Sequence, residues 1–332
     1  METGKLDVLA IGDTTIDAFI RLKDARAHCS INNETCELCL RFADKVPYES
    51  VTVIPAVGNS ANAAVSAARL GLQSGFLGWV GDDDNGKACI DAFAVERVDT
   101  SFITQEKGRP TNYHFVLWYE DERTILVKHE NYAYHLPPIQ NPPRFIYLSS
   151  LGENSLPYHE EIARYVEKNP GMRLAFQPGT FQIRMGYEKL KKVYQQTSLF
   201  FCNKEEAMRI LSTQETDIKK LMHALQKLGP KTVFITDQRR GAFAMNGEHA
   251  WKVPMYPDPA PPLERTGAGD AFSSTIVAAL ALGKTVPEAL AWGPANSMSV
   301  VQHIGAREGL LSRQELEGLL AQRPSDYVVT PL

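Results

Sequence analysis

Short apolar bursts recur along this chain and alternate with longer segments whose apolar residues fall at helical spacing. Val8, Leu9, Ala10 and Ile11 end in Gly12, the pattern of a strand buried on both faces that leads into a ligand-facing loop. Residues 75–80, 145–148, 173–176, 198–202 and 232–236 repeat that pattern. Between these bursts, residues 59–72 carry Ala61, Ala63, Ala64, Val65, Ala67, Ala68 and Leu70 and stop at Gly71, which predicts a closely packing helix. Residues 86–97 predict a second helix, 241–253 a small hairpin, and the last third three helices over 269–282, 286–303 and 312–321. Alternating strands and helices predict an α/β fold, doubly wound, with a mostly parallel central sheet flanked by helices.

Two stretches break the alternation. Residues 18–54 mix polar and apolar positions with β-branched runs such as Val51, Thr52, Val53 and Ile54, which suits exposed sheet. Residues 111–135 place Tyr113, His114, Phe115, Val116, Leu117, Trp118 and Tyr119 before a polar turn at Glu120, Asp121, Glu122 and Arg123, followed by Thr124, Ile125, Leu126 and Val127. That is an antiparallel hairpin solvated on one face. Segments 17–55 and 110–135 are expected to form one small β-sheet lid inserted in a single domain over 1–332.

Composition narrows the function classes. With 332 residues and 44% hydrophobic content the chain can bury a large core. Thirty-five basic against 39 acidic residues, with no dense Lys/Arg tract, argue against a nucleic-acid partner. A polar start and the lack of long apolar runs argue against a membrane partner and for a cytoplasmic protein. Five cysteines, an odd number in a long chain, fit reduced thiols better than a disulfide framework. Cys29, Cys36 and Cys39, with His28 nearby, resemble half a zinc site, but 36–42 reads more naturally as a strand.

The densest chemistry lies at 264–270. Glu264, Arg265, Thr266, Gly267, Ala268, Gly269 and Asp270 run straight into the apolar helix. Small residues before a helix let backbone N–H groups turn toward an oxyanion, and the helix dipole adds positive potential there. Asp270 repels such an anion, so its presence on the rim suits a base that takes a proton from an attacking hydroxyl. The same residues also suit a plain glycine-rich loop with Asp270 as a first-turn helix residue. Competing motifs fail on physical grounds. Phe272 occupies the third glycine place of a dinucleotide loop. Residues 81–88 imitate a P-loop but line it with Asp82, Asp83 and Asp84 and end in Ala88, where a magnesium hydroxyl is needed. The same run fails as a calcium loop, since Phe93 stands where a bidentate Glu belongs.

Six ordered segments resemble the ribokinase-like (PfkB-type) carbohydrate kinases. Thr266 to Asp270 match the D-T-x-G-A-G-D signature, with Glu264 and Arg265 replacing Asp-Thr. Residues 57–64 echo G-G-x-x-A-N-x-A, and 12–17 resemble the family's start. Residues 80–86 match its G-x-D-x-x-G turn, 203–206 its N-x-x-E motif, and 236–241 its T-x-G-x-x-G strand with Gln238 in place of the first glycine. The resemblance implies ATP and Mg²⁺, with Asp270 as base and Gly267, Ala268 and Gly269 as anion hole. It implies substrate contact by Asp17, Gly58, Asn59 and Asn62. Asn203, Thr236, Gln238, Gly241 and Asn296 fall on the nucleotide side, and Glu206 on magnesium through water. Glu264 falls where relatives hold a monovalent cation, which leaves K⁺ activation open.

The residues read by themselves keep alternatives in play. Asp17 and Asn62 suit polyol hydroxyls, but Asn59 also suits a helix cap, as does an N-x-x-E at a helix start. A small sugar is the expected acceptor. A nucleoside is the rival, with Tyr113, Phe115 and Trp118 available to stack a base, and a sugar phosphate would call on Lys107, Arg109 and Arg123. A non-catalytic sugar-binding sensor is the reading from another class. Exposed lid edges suit a homodimer formed through the lid.

Overall fold

The computed structural model describes residues 5–29, 36–120 and 122–332. Asp121 of the expected hairpin turn, residues 30–35 of the first insert and residues 1–4 lie outside the described residues. The central sheet has ten strands in the order Thr330–Pro331, His249–Val253, Ala242–Asn246, Thr232–Thr236, Thr197–Asn203, Arg173–Phe176, Phe145–Leu148, Val8–Ile11, Ser74–Gly81 and Ile103–Glu106. Pairing is parallel from Thr232–Thr236 through to Ile103–Glu106, and antiparallel beyond the other side of Thr232–Thr236. Ile103–Glu106 was not legible as a strand, because four mixed residues give no period.

The first strand shows how the apolar bursts work. Successive side chains point to opposite faces, so Val8 and Ala10 enter one core while Leu9 and Ile11 enter the other. The first core lies under the helices Asn59–Arg69, Asp84–Val95, Ala268–Ala281 and Val286–Val300, the second under Leu156–Lys168, Tyr187–Gln196 and Ile218–Lys227. Ala268–Ala281 is buried from Ala271 to its end, which explains a sequence apolar nearly all round. Its first turn emerges at the carboxyl end of the parallel strands, where open α/β sheets leave a crevice.

A separate four-stranded sheet is ordered Tyr48–Val57, Thr15–Leu22, Tyr113–Tyr119, Glu122–Leu126. Thr15–Leu22 pairs parallel with Tyr113–Tyr119, bringing Asp17 opposite His114. The other face of this sheet exposes Val51, Val53, Phe115 and Leu126.

Arg26–Cys29 and Cys36–Cys39 form a two-stranded hairpin. Here the expectation of uniformly reduced thiols is corrected. Cys29 and Cys36 lie opposite each other in the hairpin register and are joined as a disulfide, leaving Cys39 exposed and Cys89 and Cys202 buried as free thiols. An odd count says nothing about a local pair that antiparallel pairing has already brought together. Two of the three cysteines weighed as zinc ligands are thereby removed as thiolates. Among the described residues, no helix is long and apolar enough to cross a membrane.

Candidate active site

Gly267 sets the geometry of the expected anion cradle. Its φ of +79° is left-handed, and a Cβ there would overlap the Cβ of Ala306. Glycine is therefore required both by conformation and by close approach. Helix Ala268–Ala281 starts immediately afterwards, and its first amides have no carbonyl one turn back to bind. Ser297 donates to the Ala268 carbonyl at 2.7 Å and steadies this turn from the neighbouring helix.

Behind the cradle, Glu264 is 3% exposed. Its Oε2 accepts the Thr266 amide at 2.7 Å and its Oε1 the Gly305 amide at 2.8 Å. The carboxylate thus clamps the loop before the helix to the loop that packs on Gly267. A cation site needs lone pairs pointing inward. Here one N–H group points at each oxygen, so the contacts Glu264 makes are those of a hydrogen-bond clamp.

Asp270 is the third residue of that helix, half-buried, with its two oxygens held separately. Asn62 Nδ2 donates to Oδ2 at 2.8 Å and Gln177 Nε2 to Oδ1 at 3.1 Å. Burial pushes its carboxyl above the ordinary range. The amides of Asn62 and Gln177, then Asn59, and the charge of Arg123 pull the other way. Gln177 was missed in the sequence, since a single Gln after an apolar burst carries no signal.

Next to Asp270 lies a second set of polar groups. Gly58, at φ +115°, turns the chain into helix Asn59–Arg69, and a Cβ there would meet the Asp13 carbonyl at 2.9 Å. Asn62 is buried with its Oδ1 unpartnered, so its donor serves Asp270 and its acceptor stays free. Asp17 Oδ1 is likewise buried and unpartnered. His114 Nδ1 lies 3.3 Å away but misaligned for a hydrogen bond, and His114 Nε2 has no partner either. Asp13 accepts the Tyr134 hydroxyl at 2.9 Å and faces His129 at 3.2 Å. His114 and His129 sit 5.3 Å apart, ring to ring. Neither histidine, nor Tyr134, was legible, because the segment 110–135 that carries them lacks a motif.

The aromatic residues weighed for stacking a base do not point here. Tyr113 and Phe115 line a groove with Leu126 on the outer face of the small sheet, and Trp118 is covered by the Arg21 guanidinium at 4.7 Å. The basic residues weighed for a sugar phosphate do not gather: Arg109 pairs with Glu106 at 3.3 Å and Lys107 is exposed. Arg123 is half-buried with an unpartnered Nε, and of the three it alone acts on Asp270.

On the other side of the helix start, a cleft of about 690 Å³ is lined by Asn203, Thr236, Gln238 and Gly241 together with Gly269, Phe272 and Met298. Gly241 has φ +90°, and a Cβ would overlap the Val253 carbonyl. Gln238, also left-handed at φ 45°, donates to Glu205 at 3.3 Å. Asn203 and Glu206 form a reciprocal cap: Glu206 N donates to Asn203 Oδ1 at 2.8 Å and Asn203 N to Glu206 Oε2 at 2.9 Å. Burial raises the Glu206 carboxyl, and the charge of Asp270 adds to that rise. Asn296 departs from its expected place. It is fully buried, donating to Thr275 at 2.7 Å and accepting the Leu311 amide at 2.9 Å. Both ends of its amide are thus used inside the fold, and Pro294, Ser297 and Met298 form the cleft wall instead.

The profile of the pfkB family carbohydrate kinases matches residues 27–313. The chain is similar to the ribokinase of Bacillus subtilis, 27% identical over 310 residues that cover 88% of this chain and 99% of that one. Among solved structures, it resembles Arabidopsis thaliana ribokinase complexed with ribose and ATP, with a TM-score of 0.78 and 18% identity over 95% of this chain and 99% of that one. It also resembles the nucleoside kinase of Methanocaldococcus jannaschii, with a TM-score of 0.76 and 17% identity over 96% and 100%.

Proposed function

This chain belongs to the pfkB family of carbohydrate kinases, and from that premise we propose that it moves the γ-phosphoryl group of ATP to a hydroxyl of a small sugar, with Asp270 as the base. One arrangement carries the reading: a carboxylate pinned by two amides at the mouth of a helix whose first N–H groups have no partner one turn back. The sugar hydroxyl oxygen attacks phosphorus while its proton passes to Asp270, and the bond to the departing ADP oxygen breaks. Negative charge on the transferred group falls on the amides of Gly267, Ala268 and Gly269, aimed in advance at that position.

Asp17 Oδ1 and Asn62 Oδ1, buried acceptors without partners, suit sugar hydroxyls as donors. The outward placement of Tyr113 and Phe115 favours a sugar over a nucleoside. Thr236, Gln238 and Gly241 border the triphosphate in the larger cleft. Glu206 and Asn203 suit magnesium held through its water shell, which supplies charge neutralisation at the phosphates. The charge of Asp270 adds to the cost of ionising Glu206, and a divalent cation would relieve that. Glu264, with an amide on each oxygen, serves in this reading as a clamp, and no step of it calls on a monovalent cation. Segments 17–55 and 110–135 act as a lid that excludes water, and its exposed Val51, Val53, Phe115 and Leu126 suit pairing with a second copy. ATP as donor suits a cytoplasmic reaction.

The test is an ATP-consumption screen over pentoses, hexoses, sugar phosphates and nucleosides. ADP released with a neutral sugar is the expected result. Thermal stabilisation by a sugar without ADP release overturns it in favour of a non-catalytic sensor.

A further inference from the structure

Asp270 is held from below by a buried chain of polar side chains that no motif announces. Gln177 follows the strand Arg173–Phe176, Tyr147 lies in the neighbouring strand Phe145–Leu148, and Ser273 sits one turn into the helix that starts the anion cradle. The Tyr147 hydroxyl donates to Gln177 Oε1. Ser273 Oγ lies 2.9 Å from the Tyr147 oxygen and 3.1 Å from Gln177 Oε1, and donates at 2.6 Å to the Gly269 carbonyl. The backbone of Gln177 is fixed as well: its amide donates to the Leu148 carbonyl at 3.0 Å, and its carbonyl accepts Ser149 Oγ at 2.6 Å.

This wiring decides which way the Gln177 amide faces. Tyr147 is fully buried, and burial pushes its phenol well above the usual range, so it keeps its proton and needs an acceptor. The Ser273 hydrogen is drawn to the Gly269 carbonyl, which leaves Gln177 Oε1 to take the phenol proton. An amide with its oxygen so occupied must present Nε2 on its other side, where Asp270 Oδ1 stands at 3.1 Å. Asn62 differs: only its Nδ2 is engaged, and its Oδ1 has no partner that fixes which way the amide faces. Of the two amides on Asp270, Gln177 is the locked one.

We propose that Gln177, locked by Tyr147 and Ser273, is the positioning residue of the phosphoryl-transfer base: it fixes the plane of the Asp270 carboxylate and presents a permanent donor to Oδ1. The proposal rests on the kinase reading for its functional meaning and on the hydrogen-bond geometry for its substance. The effect of Gln177 is to hold Asp270 ionised and oriented while the Asn62 amide is left free to adapt to the substrate.

Gln177→Met, Gln177→Glu and Tyr147→Phe test it. A hydrogen bond to a charged group is worth about one to two pH units in the titration of that group. Removing the donor in Gln177→Met is expected to move the acid limb of the kcat profile up by that amount, with KM for ATP within twofold of wild type. Tyr147→Phe is expected to move it the same way by less, because the amide is then free to turn. Gln177→Glu should move it furthest, since two facing carboxyls share a proton. Circular dichroism and melting curves establish that each variant folds. An acid limb in folded Gln177→Met that superimposes on wild type overturns the proposal. The Asp270 carboxyl can also be titrated by ¹³C NMR in nucleotide-free protein, identified by its loss in Asp270→Asn. If wild type turns over no acceptor, the kinase reading falls and this titration still decides: an unchanged midpoint in Gln177→Met overturns the Gln177 assignment, and a raised one supports it.

Discussion

Replacing Asp270 with Asn separates chemistry from folding in this site. Asp270 offers an acceptor to each of two donors, Asn62 Nδ2 and Gln177 Nε2, whereas an Asn side chain has a single acceptor oxygen. Gln177 stays put because Tyr147 and Ser273 hold its oxygen, so the oxygen of the introduced amide must face Gln177. The NH₂ of that amide then confronts Asn62, whose unpartnered Oδ1 lets its own amide turn over and accept. Two hydrogen bonds to a carboxylate, at about 1.5–3 kcal/mol each, become two neutral ones at about 0.5–1.5 kcal/mol each, a loss that removal of the buried charge offsets. The electrostatic change acts in the stabilising direction. A carboxyl whose pKa is raised by burial binds its proton more tightly folded than unfolded. Its contribution favours folding at low pH and turns against it as pH rises through the raised value. A neutral amide escapes that cost at pH 7. Stability by urea denaturation is therefore expected within about 1 kcal/mol of wild type, while turnover in a coupled ADP assay falls by about 10²–10⁴-fold, the usual worth of general-base assistance. A folded Asp270→Asn protein that kept wild-type turnover would remove Asp270 from the chemistry. A protein that failed to fold would instead refute the amide-turning argument.

Other outcomes follow from the same geometry. Gly267→Ala adds a methyl that overlaps the Ala306 Cβ at a left-handed φ, which costs about 1–2 kcal/mol for conformation and about 1–3 kcal/mol for overpacking. A denaturation midpoint equal to wild type would contradict this. Gly269→Ala meets nothing closer than Gln177 Nε2 at 3.9 Å, so it should fold normally yet lose turnover, because its methyl stands on the cleft wall. Rates in potassium and in tetramethylammonium should agree within twofold, since Glu264 has both oxygens on backbone amides; strong potassium activation would show that the clamp opens to admit a cation. Unfolded without reductant, the chain should show three titratable thiols, Cys39, Cys89 and Cys202, and five after reduction; five before reduction would dissolve the Cys29–Cys36 pair.

The elements legible in the sequence were those whose burial is uniform. Val8–Ile11, Phe145–Leu148 and Thr232–Thr236 are covered on both faces, so an unbroken apolar run announces each of them. Ile103–Glu106 is an edge strand with half-buried and exposed positions, and it has neither run nor alternation to betray it. The disulfide escaped for a different reason. Whether Cys29 meets Cys36 depends on hairpin register, and register is a property of pairing that a single strand does not encode.

The site divides along the same line. Gly267, Gly58 and Gly241 were legible because each solves a backbone problem, a left-handed φ with another chain segment pressed against it, and only one residue type solves it. Glu264 and Asn296 were legible as candidate residues, but their hydrogen-bond partners were not. Their side chains are consumed by amides and hydroxyls more than 20 residues away in at least one contact each, and no local spacing reveals such partners. Gln177, Tyr147, His114 and His129 left no trace at all, since each comes from a different strand or loop and the meeting of their polar atoms exists only once the two sheets are in place. Glycines thus mark where the backbone of the candidate site closes up, while the side-chain contacts around Asp270 are readable only from the packed structure. That asymmetry has a physical cause: backbone constraints are written in one residue, and hydrogen-bond networks are written in the distances between several.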